Sequence, residues 1–200
     1  MSSDVKFFNR WGIEGIEVED PGLKGYITLT PRFVPKTGAR YAGWRFYKSR
    51  ISIVERLINK LFVPGHRGKK HKLTSGHAVG KTSNAYYAVY KALEILEQKT
   101  NENPIKVLVK AVENAAPREE IVSIEYGGAR YPKAVECAPQ RRVDLALRNF
   151  VIGTYNRSFK SKKTLAECLA EELLAAYRLD QSSFAISKKV ELEKQADASR

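Results

Sequence analysis

The stretch Ser75-Gly76-His77-Ala78-Val79-Gly80-Lys81-Thr82-Ser83 holds the residue types of a phosphate-binding loop. A nucleotide loop places four residues between its first glycine and the Gly-Lys-Ser/Thr, so that successive backbone N–H groups curl around a phosphate. Here Ser75 stands where that first glycine belongs, and Gly76 comes one position late. Such a loop also follows a buried strand. What precedes this one is Gly65-His66-Arg67-Gly68-Lys69-Lys70-His71-Lys72, which no sheet would bury. No later apolar run ends in an aspartate that would help hold magnesium. No bound nucleotide is expected, so Gly80 and Lys81 need another purpose.

Other chemistries fare no better. His66, His71 and His77 share one basic loop with no cysteine or carboxylate among them, so a zinc site lacks ligands. Glu119-Glu120 and Glu171-Glu172 are adjacent carboxylates. Neighbours on a helix point in different directions, which suits solvation better than an acid/base pair. Cys137 and Cys168 show no paired spacing, which argues for a reducing compartment and for small core or interface residues. The opening residues include Asp4 and Lys6 with no apolar run behind them, and no stretch approaches the ~18 apolar residues of a membrane span. The expectation is a cytoplasmic protein that is not an enzyme and has no cofactor, metal or membrane partner.

Charge is the strongest signal. The 200 residues carry 35 Lys+Arg against 22 Asp+Glu, a net +13. The excess is segregated: residues 32–82 have thirteen basic residues and one acidic residue, Glu55, and residues 129–165 have nine basic and two acidic. The three remaining stretches are each net −2. A scattered soluble surface does not sort its signs this way, and the pattern points to a polyanion such as nucleic acid.

The elements that must position these charges are mostly helical. Two hundred residues with 43% hydrophobic content suit one domain, or one domain with an extension, around a packed core. Residues 1–46 read as an irregular N-terminal extension broken by Pro21, Pro31 and Pro35. Residues 47–200 read as a helical domain. Ile51, Val54, Leu57, Ile58 and Leu61 predict a helix over Tyr47–Phe62, with Arg50, Arg56 and Lys60 off its apolar stripe. Ser83 or Asn84 is positioned to cap a second helix running to Leu96, whose Tyr86, Val89 and Tyr90 suit core packing. Asn103-Pro104 starts a third, to Ala115. Val122, Ile124 and Tyr126 alternate as a strand, Gly127-Gly128 turns the chain, and a hairpin over about 121–137 follows. Pro132 in the returning strand must sit at an edge. Pro139 opens a helix to about Gly153. Thr164-Leu165-Ala166-Glu167 fits a capping box for a helix to Tyr177, and Phe184–Ala198 is helix-prone. A lone two-stranded ribbon is marginal in water, so the hairpin packs on the helices or projects toward a partner. The fold class expected is mainly α, a helical bundle with one β-hairpin, which the resemblance described next implies is protruding.

Several of these segments together carry a family resemblance. Gly127-Gly128, Val135-Glu136 and the run Pro139-Gln140-Arg141-Arg142-Val143-Asp144-Leu145-Ala146-Leu147-Arg148 resemble the small-subunit ribosomal protein family numbered seven in bacteria and five in eukaryotes. Asn103-Pro104, Ala115-Ala116-Pro117-Arg118-Glu119-Glu120, the segment Ala166 to Leu173, and the ending from Phe184 to Arg200 agree. The ending and the N-terminal segment look like the archaeal–eukaryotic branch. The resemblance implies a structural protein of the small ribosomal subunit that binds the 3′ major domain of its rRNA and helps assemble the head. It implies neighbouring head proteins as partners. It also implies a hairpin near the exit site, beside tRNA and mRNA.

On that reading Lys81 approaches an RNA phosphate at a helix N-terminus. Gly68-Lys69-Lys70 matches the same family feature, and Thr82 stands where a second lysine is expected. The rRNA contacts expected are Lys69, Lys70, Lys72 and Lys81 in the loop, Arg40, Arg45, Lys48 and Arg50 around the first helix, and Arg141, Arg142 and Arg148 in the second basic block. If residues 140–153 are helical, Arg141 and Arg148 share a face. Gly127, Gly128, Arg130, Tyr131 and Lys133 are the residues expected to meet exit-site tRNA or mRNA. A helical duplex-DNA binder is the competing class, since basic helices also suit a major groove.

Overall fold

The computed structural model describes residues 5–64 and 80–200. Lys69, Lys70, Lys72, the three histidines and the Gly68-Lys69-Lys70 match lie outside the described residues. The described chain forms a 3-10 turn at Tyr47–Arg50, then α1 (Ile53–Lys60), α2 (Thr82–Thr100), α3 (Pro104–Ala115), β1 (Glu119–Tyr126), β2 (Ala129–Glu136), α4 (Pro139–Ser158), α5 (Leu165–Tyr177) and α6 (Phe184–Asp197). The mainly α bundle with one hairpin is the architecture found.

The bundle closes around α5, which packs against α2, α3 and α4. Its inner face is Ala166, Cys168, Leu169, Ala170, Leu173 and Ala176, mostly small side chains that let neighbouring helices approach. The capping box read from sequence is present: Glu167 N–H donates to Thr164 Oγ1 at 3.3 Å, and Thr164 N–H donates to Glu167 Oε2 at 2.8 Å. Asn103 caps α3, its Oδ1 accepting from Ile105 N–H at 3.0 Å.

Residues 5–46 contain no helix or strand, yet Phe7, Trp11, Leu23 and Ile27 are buried in the same core as the helices. Polar contacts clasp this segment to the bundle. Glu55 Oε1 accepts from Thr37 N–H and Oγ1, and Arg56 Nη1 donates to the Tyr26 carbonyl at 2.7 Å.

Beyond the end of α2, at Thr100 rather than Leu96, three boundaries differ from the sequence reading. The helix expected over Tyr47–Phe62 is a 3-10 turn followed by α1, with Ile51 extended between them. Thr28 explains the break. Its hydroxyl donates to the Ser49 carbonyl, while Ile53 N–H donates to the Thr28 carbonyl at 2.9 Å. A continuous helix would join Ile53 N–H to Ser49 C=O, and Thr28 intercepts both groups. Second, α2 starts earlier than a Ser83 or Asn84 cap allows. Lys81 is its N-cap, and its carbonyl accepts the first helical bond from Ala85 N–H. Third, α4 runs past Gly153 to Ser158.

Gly153 therefore terminates nothing; it makes room. A Cβ there would lie 2.7 Å from Glu172 Cδ and 2.9 Å from Phe184 Cβ. Glu172 is fully buried between α4, α5 and α6, where its Oε1 accepts from Ser183 Oγ at 2.7 Å and Ala185 N–H at 3.1 Å. Arg157 Nε sits 3.1 Å from its Oε2. Burial pushes this carboxyl above its ordinary value despite those partners.

The hairpin pairs Tyr126 with Ala129 across Gly127 and Gly128, at φ 58° and 82°. Both central residues need positive φ in this mirror-image turn, which glycine adopts without strain. Pro132 faces Ser123. In a two-stranded ribbon each strand has a free edge, so a missing N–H is tolerated. The hairpin's base packs on α6, but from Val122 to Lys133 it is exposed, Tyr126 to 81%.

Replacing Gly153 with alanine should destabilise the protein by about 1–3 kcal/mol, the range for overpacking. Ordinarily a helical Gly→Ala change gains roughly 1 kcal/mol. A higher denaturant midpoint for the variant would mean the α4–α6 junction has slack.

Candidate nucleic-acid interface

The two basic blocks meet where α1 packs on α4. Pro139 at the first helical position pre-sets the backbone of α4, and Ala138 supplies no side-chain cap. The first-turn N–H groups are thus left without a capping side chain. Arg141 and Arg148 lie seven residues apart on this one helix and line the same cleft, as helical periodicity requires. The cleft measures about 280 Å³ and is also lined by Phe46, Lys60, Gln140 and Asp144. Arg148 and Lys60 further border a hollow of about 300 Å³ beside it.

Asp144 organises the charges. It is ion-paired with Lys48, and Arg56 Nη2 lies 3.4 Å from its Oδ1. Burial lowers the pKa of the Arg56 guanidinium, with Asp144 opposing that shift. Burial likewise lowers the pKa of Lys60; Asp144 opposes it, while Lys48, Arg148 and Arg56 add to it. Lys60 is a cation held among cations, and an incoming anion would relieve it. Gln140 is 6% exposed, and neither amide atom has a hydrogen-bond partner among the described residues. Leaving a buried polar group unpaired costs about 1–3 kcal/mol.

The expected site residues divide into distinct environments. Arg40, Arg45, Lys48, Arg50, Lys81, Arg141 and Arg148 are exposed. The Arg45 guanidinium lies 5.0 Å from the Phe46 ring centre, and that of Arg50 4.3 Å from Tyr47. Arg141 forks onto Glu120, with 2.6 Å contacts to both carboxylate oxygens. Lys81 stands at the α2 N-terminus beside Gly80, whose φ is 78° and whose N–H donates to the Phe62 carbonyl at 2.9 Å. The chain thus enters α2 from a left-handed residue pinned to the end of α1, with the Lys81 side chain free of any capping bond.

Arg142 differs from its neighbour. It is 9% exposed; Nη2 donates to Asp20 Oδ2 at 2.7 Å and Nε to the Pro117 carbonyl at 3.1 Å. Burial pushes the Asp20 carboxyl up, but the bonds from Arg142 and Gly22 N–H outweigh it and the net shift is downward. Arg142 thus ties the N-terminal segment to α4. Gly127, Gly128, Arg130, Tyr131 and Lys133 are all exposed on the distal hairpin, a separate element from the cleft. There Arg130 Nε lies 3.6 Å from Glu125 Oε2.

Sequence reasoning missed Lys60, Gln140 and Phe46 as cleft residues. Lys60 was visible as a base off the apolar stripe. Gln140 carried no such signal, because its role depends on what packs around it. Among the described residues, no group of three or more His, Cys, Asp or Glu is placed to hold a metal. No helix among them is long and apolar enough to cross a membrane.

The two arginines make a direct test. Arg142→Ala should lower stability by about 1–3 kcal/mol, since it strands a carboxylate and a carbonyl. Arg148→Ala should leave the denaturation midpoint within about 0.5 kcal/mol of the parent. Equal effects would contradict the division between an inward and an outward arginine.

Comparison with known proteins adds independent information. The family model described as Ribosomal protein S7p/S5e matches residues 24–200. A small ribosomal subunit protein uS7 from Nanoarchaeum equitans (strain Kin4-M) is 53% identical over 196 residues, covering 98% of this chain and 99% of the relative. One from Methanothrix thermoacetophila is 45% identical over 196 residues, covering 98% and 100%.

Proposed function

The chain belongs to the ribosomal protein S7p/S5e family, and from that premise we propose that its α1–α4 face binds the 3′ major domain of small-subunit rRNA and helps assemble the subunit head. Its membership makes it a structural, non-enzymatic protein of the small ribosomal subunit. The finer reading rests on one observation: Lys60, Arg141 and Arg148 converge on one cleft from elements far apart in sequence. Lys60 and Arg148 repel one another there, while Arg141 is held by Glu120, and phosphates would relieve the repulsion.

In this reading Arg40, Arg45, Lys48, Arg50, Lys81, Arg141 and Arg148 contact phosphates, joined by Lys60. Lys69, Lys70 and Lys72 belong to the same set on sequence grounds. Residues 1–46 act as an extension steadying the 47–200 domain. Arg142 contributes indirectly, by holding Asp20 and the extension against α4. The hairpin tip, Gly127 to Lys133, reaches exit-site tRNA and mRNA, and other head proteins are neighbours in the cytoplasmic ribosome. Its exposed Tyr126 and Tyr131 offer ring faces, and Arg130 and Lys133 offer charge.

Binding to a 3′ major-domain rRNA fragment should weaken steeply with salt. Arg148→Ala and Lys60→Ala should each reduce the log–log salt slope by about one. Competition by duplex DNA of equal length, as effective as the rRNA itself, would refute selective binding. Deleting 127–133 should leave melting and fragment affinity unchanged, while speeding dissociation of exit-site tRNA from ribosomes that carry the shortened protein. Loss of fragment binding on that deletion would show that the hairpin and cleft are not separate contacts.

A further inference from the structure

Residues 39–50, Ala-Arg-Tyr-Ala-Gly-Trp-Arg-Phe-Tyr-Lys-Ser-Arg, interleave aromatic and basic residues without one carboxylate. The backbone arranges them by threes. Tyr47 N–H donates to the Trp44 carbonyl, Ser49 N–H to the Phe46 carbonyl, and Ile51 N–H to the Lys48 carbonyl. Side chains three apart eclipse in such a 3-10 path. Tyr47 and Arg50, both within the turn, are therefore aligned, and Trp44 joins them across the left-handed Phe46 by ring contact. The Trp44 and Tyr47 rings are stacked, 5.6 Å between centres and 22° between planes, and the Arg50 guanidinium lies 4.3 Å from the Tyr47 centre. At the far end Trp44 is 68% exposed.

Among the described residues Tyr47 is the ring stacked on Trp44, and most of the indole stays exposed to water. Phe46 beside it is 53% exposed and held at φ 67°, a strained conformation for a bulky residue. In that conformation Phe46 stands on the rim of the Lys60–Arg148 cleft. An apolar protein partner would explain the rings but not the surrounding cations: residues 32–50 carry Arg32, Lys36, Arg40, Arg45, Lys48 and Arg50 and no acidic residue, and of these Lys48 is ion-paired with Asp144. Aromatic faces beside a phosphate-binding charge are what an unpaired nucleotide requires.

We infer that Trp44 is a stacking platform for an unpaired RNA base, extending the Arg50–Tyr47–Trp44 ladder by one member. The rRNA segment seated here is single-stranded, a loop or bulge rather than a duplex, since a paired base has no free face to offer. This assignment rests on the rRNA-binding reading above and adds the class of RNA structure recognised. Trp44 supplies stacking, while Arg45 and Arg50 supply charge to the flanking phosphates.

The chain has two tryptophans, and Trp11 is buried at 3% exposure, so emission from the exposed one can be read in the full-length protein. A single-stranded oligoadenylate of roughly 12 nucleotides should quench it saturably. A duplex RNA of equal length should not. Trp44→Ala should remove the quench and weaken binding to the rRNA fragment about 5- to 150-fold, the equivalent of one stacked base. Its salt slope should stay unchanged because no charge is lost. Trp44→Phe should restore most of the affinity. Unchanged affinity in Trp44→Ala, or equal quenching by duplex RNA, would overturn the platform while Arg148→Ala still weakened binding. Retained RNA affinity with failed incorporation into subunits would assign this face to a protein neighbour and likewise overturn it. If the wild-type protein binds no rRNA fragment, the platform falls together with the underlying reading.

Discussion

Asp144 is the contact on which the basic α1–α4 face depends. It comes from α4 and meets Lys48 before α1 and Arg56 within α1, with Lys60 close by. Packing α1 on α4 forces cations from two distant segments together, and without a carboxylate between them the seam would repel itself. One buried-side anion neutralises the base of the cluster and leaves its outer members, Lys60, Arg141 and Arg148, turned to the cleft. Ion pairs at such seams contribute little net stability where solvent reaches them. The consequence here is positional: the basic side chains are held in place by packed helices within the chain itself.

The same economy runs through the N-terminal segment. It lacks regular structure, yet it delivers Phe7, Trp11, Leu23 and Ile27 to the core and Asp20 to Arg142. Thr28 then sets where α1 begins. The aromatic ladder before α1 therefore stands on a segment anchored on both sides. Satisfaction is not complete among the described residues: Trp11 Nε1 has no hydrogen-bond partner, and Gln140 is an unpaired buried amide at the helix end facing the basic cleft. Proteins keep such local conflicts mainly where function requires them.

Much of the architecture was legible because local signals agreed. The capping box at Thr164, the Asn103-Pro104 start and the Gly127-Gly128 turn each act within a few residues, so sequence contains everything they need. Boundaries failed where a distant residue intervened. Nothing near Ser49 announces that Thr28 will take its carbonyl. Gly153 reads as a helix end because glycine is a poor helix former, and only the presence of Glu172 and Phe184 shows it to be a packing site.

By itself the sequence determined the class of molecule: a basic helical protein with two charge blocks, one hairpin and a ribosomal family pattern. Charge sign, periodicity and turn chemistry are properties of neighbours along the chain, and they survive without coordinates. Tertiary structure alone decided which basic residues face outward. Arg141 and Arg142 are adjacent and identical in kind, yet helical geometry turns one to the cleft and the other to Asp20. It also made Lys60, Gln140 and Phe46 into one site, because convergence of distant residues is a fact about packing and leaves no mark in the order of the chain.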